Sequence, residues 1–517
     1  MELFRELTHD EPFRRAQRDN ASAAKDAGDL FGLRPSPRKL RVLIDVETTG
    51  SGSDGEVEAL FIGLLKYDNL DVLRVEMSEA SKPDSGELAR PAREGFVQVR
   101  ETTTQKGWCA YPGREFAVTI AGERRHYDGT TTLRWHGSVR PDIAMVDALQ
   151  AFADLDGEAR AGMTQEDVER AVMLSEIARS IEFDLVISET VTTGRVDLPP
   201  NDRANVVSRL TAVPIIAHYL RRQHQYIINP QGRVVMSRKD FYQEAVSVVA
   251  PGVRHWLGKV QRAAMRDLGA SSVYLAEADA LVGRLLRALK ARDDLIASIG
   301  AIQTADVADD GADALDRVLV SLCGAVDVIA RSLHKALRLQ GSQRNAKFHA
   351  EDWYRNKFRA AYVSVEGIDD LDRVQGYLAG MFRLRNTIHS VALQAVGSVT
   401  ADPRAFVRVN VGRLDIVVPQ DAVDVLGTTE GGGLEYWGAR PFGSVVLADL
   451  GALMDAAVRT TFEFVDRLCL IVAREPITDK EAVLSENIIG VKPDSAPYKP
   501  RDVRLLIGLA SERDLTP

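Results

Sequence analysis

The sequence predicts an α+β protein of several domains: a β-rich amino-terminal domain, a small α/β middle domain and a carboxyl-terminal helical bundle carrying a β insertion. Three observations lead there. Residues 39–140 hold short apolar runs separated by Gly, Pro, Asp and Ser, the pattern of strands and turns. Residues 141–262 alternate helical periodicity with apolar runs, which suits parallel strands joined by helices. Residues 263–473 carry apolar stripes at helical spacing, so each helix buries one face against its neighbours. A chain of 517 residues also exceeds one ordinary core, and roughly two to four domains are expected.

The elements follow in order. Residues 1–38 are polar, of mixed charge, and end in Pro35-Ser36-Pro37, so they read as an arm. In 39–140 the expected strands are Leu40–Ile44, Leu60–Leu65, Phe96–Val99 and Phe116–Ile120, with Trp108 and Trp135 filling the core between them. In 141–262, Thr164-x-x-Asp167 marks a helix start. Val168, Val172, Leu174, Ile177 and Ile181 continue that helix with its periodicity. Phe183–Ser188 and Asn205–Val207 then read as strands, and the segment around Ile215, Ile216, Tyr219 and Leu220 as a helix.

In 263–473 one stripe runs through Leu281, Leu285, Leu286 and Leu289. A second joins Val318, Leu319, Leu322, Val326, Ile329, Leu333 and Leu337. A third joins Val374, Tyr377, Met381, Leu384, Ile388, Val391 and Ala395. Phe406–Val411 and Leu414–Val418 are expected strands of an insertion over about 401–446, and a helix over about 447–473 returns to the bundle. Pro476, Pro493, Pro497 and Pro500 make 474–517 an irregular tail.

Composition narrows the function. The net charge is −9, so contact with a nucleic acid requires a local basic patch. Cys109, Cys323 and Cys469 lie far apart with no CxxC pair, which disfavours a disulfide framework or a cysteine zinc site and fits a cytoplasmic protein. The first twenty residues are charged throughout and lack the apolar core of a signal peptide. No apolar run reaches the roughly 18 residues of a membrane-spanning helix, so no membrane partner is expected.

The segment Arg383-Leu384-Arg385-Asn386-Thr387-Ile388-His389 points most directly to a chemistry. On a helix, Arg385 and Asn386 share a face with His389 at i,i+4 and i,i+3. Histidine titrates near neutrality and serves as general acid or base. Arginine holds phosphate in two-pronged fashion, and Asn386 can orient either group. RNA carries its own nucleophile in the 2′-hydroxyl, so neither metal nor other cofactor is required.

This segment in a helical bundle resembles the HEPN-domain ribonucleases, whose signature is Arg, four to six residues, then His, often with Asn, Asp or His after the Arg. Arg383 to His389 meets the spacing, while Asn386 follows Arg385. Arg344-Asn345-Ala346-Lys347-Phe348-His349 meets spacing and polar neighbour together and is the second candidate. The resemblance covers about 265–400 and the 447–473 helix. It implies a metal-independent endoribonuclease of the kind found in toxin or anti-phage systems. His389 would be the acid/base, Arg383 or Arg385 the phosphate ligand and Asn386 the orienter, with RNA as substrate. It also implies a homodimer, and leaves residues 1–262 to answer an unknown trigger or restrain activity. HEPN domains without catalysis exist, so a scaffold or sensor that only dimerises is the rival.

A third possibility is a metal-dependent nuclease. Asp45-Val46-Glu47-Thr48-Thr49-Gly50 follows an apolar strand and resembles the first motif of DEDD-type exonucleases, whose acids ligate two Mg²⁺ ions. Asp45, Asp184 and Glu189 would form a comparable set in the manner of PIN-type nucleases. Gly431-Gly432-Gly433 has no following Lys-Ser/Thr and is a loop, not a phosphate-binding motif.

Overall fold

The computed structural model describes residues 38–49, 55–76, 95–98, 118–125, 131–139, 145, 148–150, 152–153, 160, 162–190, 205–266, 268–300, 305–363, 365, 367–386, 395–397, 414–427, 433–473 and 498–510. These form a mixed α/β protein dominated by helices. The arm 1–37, Trp108, the expected strand Phe406–Val411 and His389 lie outside the described residues.

The amino-terminal part is organised by a five-stranded sheet of β1 (Leu40–Asp45), β2 (Leu70–Glu76), β3 (Gly95–Gln98), β6 (Leu185–Ile187) and β7 (Asn205–Val207), in the order β3-β2-β1-β6-β7. Every neighbouring pair is parallel. Strands expected in separate β-rich and α/β regions thus lie in one sheet, which runs through the expected boundary near residue 140. The run Leu60–Leu65 is not a strand: it ends helix α1 (Gly55–Leu65). Val57, Leu60, Phe61 and Leu64 bury one helical face, and short apolar runs alone do not separate strand from helix.

Both faces of the sheet are covered, as parallel sheets require. Leu40, Val42, Ile44, Leu185 and Ile187 pack with α1 and with α3 (Arg209–Arg222). Leu43, Leu73, Val75 and Val186 pack with α2 (Gln165–Ser180) on the other side. Antiparallel β4 (Val118–Arg125) and β5 (Thr131–Val139) form a separate ribbon, and β8 (Tyr226–Asn229) pairs with β9 (Val234–Met236).

The helical part follows as α4 (Arg238–Val249), α5 (Pro251–Arg266), α6 (Leu268–Gly300), α7 (Ala305–Ala336) and α8 (Ile368–Asn386). A four-stranded antiparallel sheet, β10 (Ala395–Gly397), β11 (Leu414–Val418), β13 (Val445–Asp449) and β12 (Ala439–Phe442) in spatial order, sits beside it. Helix α9 (Gln420–Leu426) follows β11, and α10 (Leu450–Val472), capped by the Asp449 carboxylate on the Ala452 N–H, closes the bundle. One apolar core runs without a break from β1 through α3 and α6 to α10.

The tail is not wholly irregular, because Pro500–Leu506 forms helix α11 with proline in its first turn, where the missing N–H has no role. Buried Arg221 and Arg292 donate to the carbonyls of Leu506 and Ile507, each at 2.8 Å, and are paired with Asp293 and Asp455. That segment therefore ties α3 of the sheet layer to α6 and α10 of the bundle.

Candidate active site

Three elements bring the motif residues together. The end of α8 carries Phe382, Arg383, Arg385 and Asn386. The segment 341–350 after α7 carries Arg344, Asn345, Lys347 and His349. Helix α7 carries buried Cys323, half-buried Asp327 and exposed Arg331. Arg344 and Asn345 do not continue a helix; they sit in a single 3₁₀ turn capped by the Ser342 hydroxyl, and both are exposed.

The imidazole of His349 is half-buried and stacks on Phe382 with centroids 3.7 Å apart. Its Nδ1 is enclosed and has no hydrogen-bond partner among the described residues. The Arg385 guanidinium lies over the same phenyl ring, 5.4 Å from its centroid, and 3.7 Å from Asp327. Arg383 is exposed and stands 4.0 Å from Asp421 of α9.

Burial first, and then the charges of Lys347, Arg385 and Arg383, lower the pKa of His349 to about 4. The ring is therefore neutral at pH 7 and able to accept a proton. Burial raises Asp327, while Arg331, Arg385, Lys347 and Arg284 pull it back down. Arg284 reaches across from α6 to Gly324 on α7. Arg284, Arg331, Lys347, Arg383 and Arg385 thus gather around Asp327 and His349, a local basic patch on a chain whose net charge is −9. Burial pushes the Cys323 thiol up to about 12, so it stays protonated and unreactive at neutral pH.

The arrangement differs from the sequence expectation in one respect. The two Arg…His segments read as alternatives share a patch: the histidine of the second lies against the arginines of the first. His389 follows three residues after Asn386 in sequence, outside the described residues. The sequence does not mark Phe382, Asp327, Arg331 or Arg284 as site residues. No local pattern marks them, because their proximity arises only when α6, α7 and α8 pack.

The alternative acidic set divides between the two edges of the parallel sheet. Asp45 ends β1 and accepts from Arg170 at 2.5 and 3.0 Å, from Ser188 at 2.8 Å and from Thr48 at 2.9 Å. Glu47 pairs with the same Arg170 at 2.8 Å. A cation at Asp45 and Glu47 would have to displace that guanidinium. Glu189 is engaged by the backbone and side chain of Arg209. Asp184 precedes β6 at the opposite edge, paired with Arg38 and with the Arg41 N–H, so it does not join Asp45. Among the described residues no group of three or more His, Cys, Asp or Glu side chains is placed to share a metal ion. Among them, too, no helix is long and apolar enough to cross a membrane.

No family model, no curated protein and no solved structure matches the chain.

Proposed function

We propose that the protein is a metal-independent endoribonuclease of HEPN type whose active site is the His349–Arg385 patch. In this reading residues 263–473 form the catalytic bundle and the amino-terminal layers answer a trigger or restrain it. A toxin or anti-phage effector acting in the cytoplasm, working as a homodimer, follows from the same resemblance. The observation that carries the reading is the stacking of His349 on Phe382 beside Arg385, with Lys347 and Arg383 near enough to lower its pKa.

The chemistry follows from those groups. The 2′-oxygen of a ribose attacks the adjacent phosphorus as its proton passes to the neutral imidazole of His349. The bond from phosphorus to the 5′-oxygen breaks and that oxygen takes a proton, leaving a 2′,3′-cyclic phosphate and a 5′-hydroxyl. Arg385, Arg383 and Lys347 hold the non-bridging oxygens, where charge builds. Bound phosphate offsets the same cations that depress His349 and lifts its pKa toward the range useful in catalysis. His389 is the second candidate acid/base and would supply the proton to the leaving oxygen, with Asn386 and Asn345 as orienting amides.

The rival is a scaffold in which the same patch only binds or dimerises. It is favoured by the Arg385–Asp327 pair and the stacked His349, which also suit a structural role. Cleavage of labelled single-stranded RNA in EDTA separates the readings. Cutting by the wild type that is lost in His349→Ala and Arg385→Ala supports the patch. Loss confined to His389→Ala moves the acid/base there. No cutting by any form favours the scaffold. Cutting that needs Mg²⁺ and ignores both histidines moves the site to Asp45 and Glu47.

A further inference from the structure

We infer that His334 is a positioning residue that fixes where His349 stands, an assignment that rests on reading His349 as the acid/base. His334 is buried in the last turn of α7. Trp353 Nε1–H donates to its Nδ1 at 3.2 Å. That bond places the ring proton on Nε2, which lies 3.2 Å from the Gly341 carbonyl and donates to it. One imidazole therefore ties down both ends of the stretch 341–353, and His349 lies between those ends.

The surroundings transmit that hold. Gly341 has φ of +101°, a left-handed conformation open to glycine, so the chain turns sharply where His334 grips it. At the other end the Trp353 ring meets Phe348 edge-on, with centroids 5.1 Å apart. Phe348 is fully buried and its carbonyl accepts from Gln375 Nε2 at 2.7 Å. Phe348 immediately precedes His349, so a shift of Trp353 passes through one side chain to the imidazole. Gln343 to the Arg331 carbonyl holds the first end as well, and Lys357 to the Gln340 carbonyl closes the same stretch from the exposed side, whereas His334 joins its ends from the buried side.

The test follows the His349 ring by NMR across pH in the full chain, beside RNA cleavage, for wild type, His334→Phe, Trp353→Phe and His334→Gln. Trp353→Phe keeps an aromatic ring to face Phe348 while removing the N–H and part of the ring, so it carries the test where His334→Phe fails to fold. The expected result in the folded variants is a His349 titration raised from about 4 toward the ordinary 6.5. A fall of about ten-fold or more in kcat, with a smaller change in KM, should accompany it. His334→Gln can still donate to Gly341 and should recover part of both effects. An unchanged His349 titration in folded His334→Phe and Trp353→Phe overturns the assignment. A raised titration with a wild type that cuts no RNA upholds the positioning and sinks the ribonuclease reading instead.

Discussion

The imidazole of His349 lies nearly flat on the ring of Phe382, with 3.7 Å between centroids and 25° between planes. Phe382 is buried, and the Arg385 guanidinium lies over the same ring. Burial is the largest cause of the low His349 pKa. Phe382→Leu should therefore raise it, by an amount an NMR titration reads directly. Phe382→Ala should do the same and also lower stability by about 3–5 kcal/mol in urea unfolding, through loss of buried area and a residual cavity.

Arg385→Ala tests the phosphate ligand. Asp327 keeps Arg331, Lys347 and Arg284 nearby, so the change in folding stability should stay within about 1 kcal/mol. RNA affinity should fall, and the slope of log K against log salt should shrink by about one unit, as for one lost phosphate contact. An unchanged salt slope in filter binding would place the nucleic acid elsewhere.

Two glycines give opposite expectations. A Cβ at Gly324 would meet the Arg284 guanidinium at 2.1 Å, a flexible end that can swing away. Gly324→Ala should leave stability level or raised by up to about 1 kcal/mol from helix propensity, yet weaken RNA binding by displacing Arg284. A Cβ at Gly380 would meet Leu426 Cδ2 at 2.3 Å, inside the core. Gly380→Ala should lower stability by about 1–3 kcal/mol through overpacking, as read by thermal or urea unfolding.

His218 should make folding sensitive to acid. It is fully enclosed, 3.5 Å from Asp293, and burial is the first cause that lowers its pKa to about 4 from the ordinary 6.5. Asp293 pulls it upward, while Arg221 and Arg222 push it down. Between those two pH values the unfolded chain binds a proton that the folded chain does not. Stability therefore falls as pH drops from about 6.5 to about 4, by up to about 3 kcal/mol from this residue. Urea midpoints across that range should show the loss, and His218→Phe should flatten it.

Arg170→Ala should be severely destabilising. It would leave Asp45, wholly buried, without the guanidinium that also neutralises Glu47. Removing one partner of a buried pair costs about 3–5 kcal/mol. Asp45→Asn, which keeps a polar group for Ser188 and Thr48, should cost less, and the ranking of the two urea midpoints checks the argument.

Helices were legible because burial of one face imprints a period on the chain: Val318 to Leu333 and Val374 to Leu384 are buried at that spacing in α7 and α8. The strands Leu40–Asp45 and Leu185–Ile187 were legible as apolar runs bounded by polar residues. Leu60–Leu65 was not, since six apolar residues fit either element. That β1 sits between β2 and β6 was hidden as well, because backbone pairing between Val42 and Leu185 leaves no local mark.

The candidate residues divide the same way. The sequence by itself determined which side chains have suitable chemistry: imidazoles, guanidiniums and amides at short spacing in 344–349 and 383–389. It also determined the helix that carries Arg383 and Arg385. Only the tertiary structure decided that His349 faces those arginines, that Asp327 and Arg284 join them, and that Arg170 occupies Asp45 and Glu47. Local spacing governs which residues share a helix face, whereas contacts between α6, α7 and α8 depend on how whole apolar faces pack, a sum over many side chains that no short motif records.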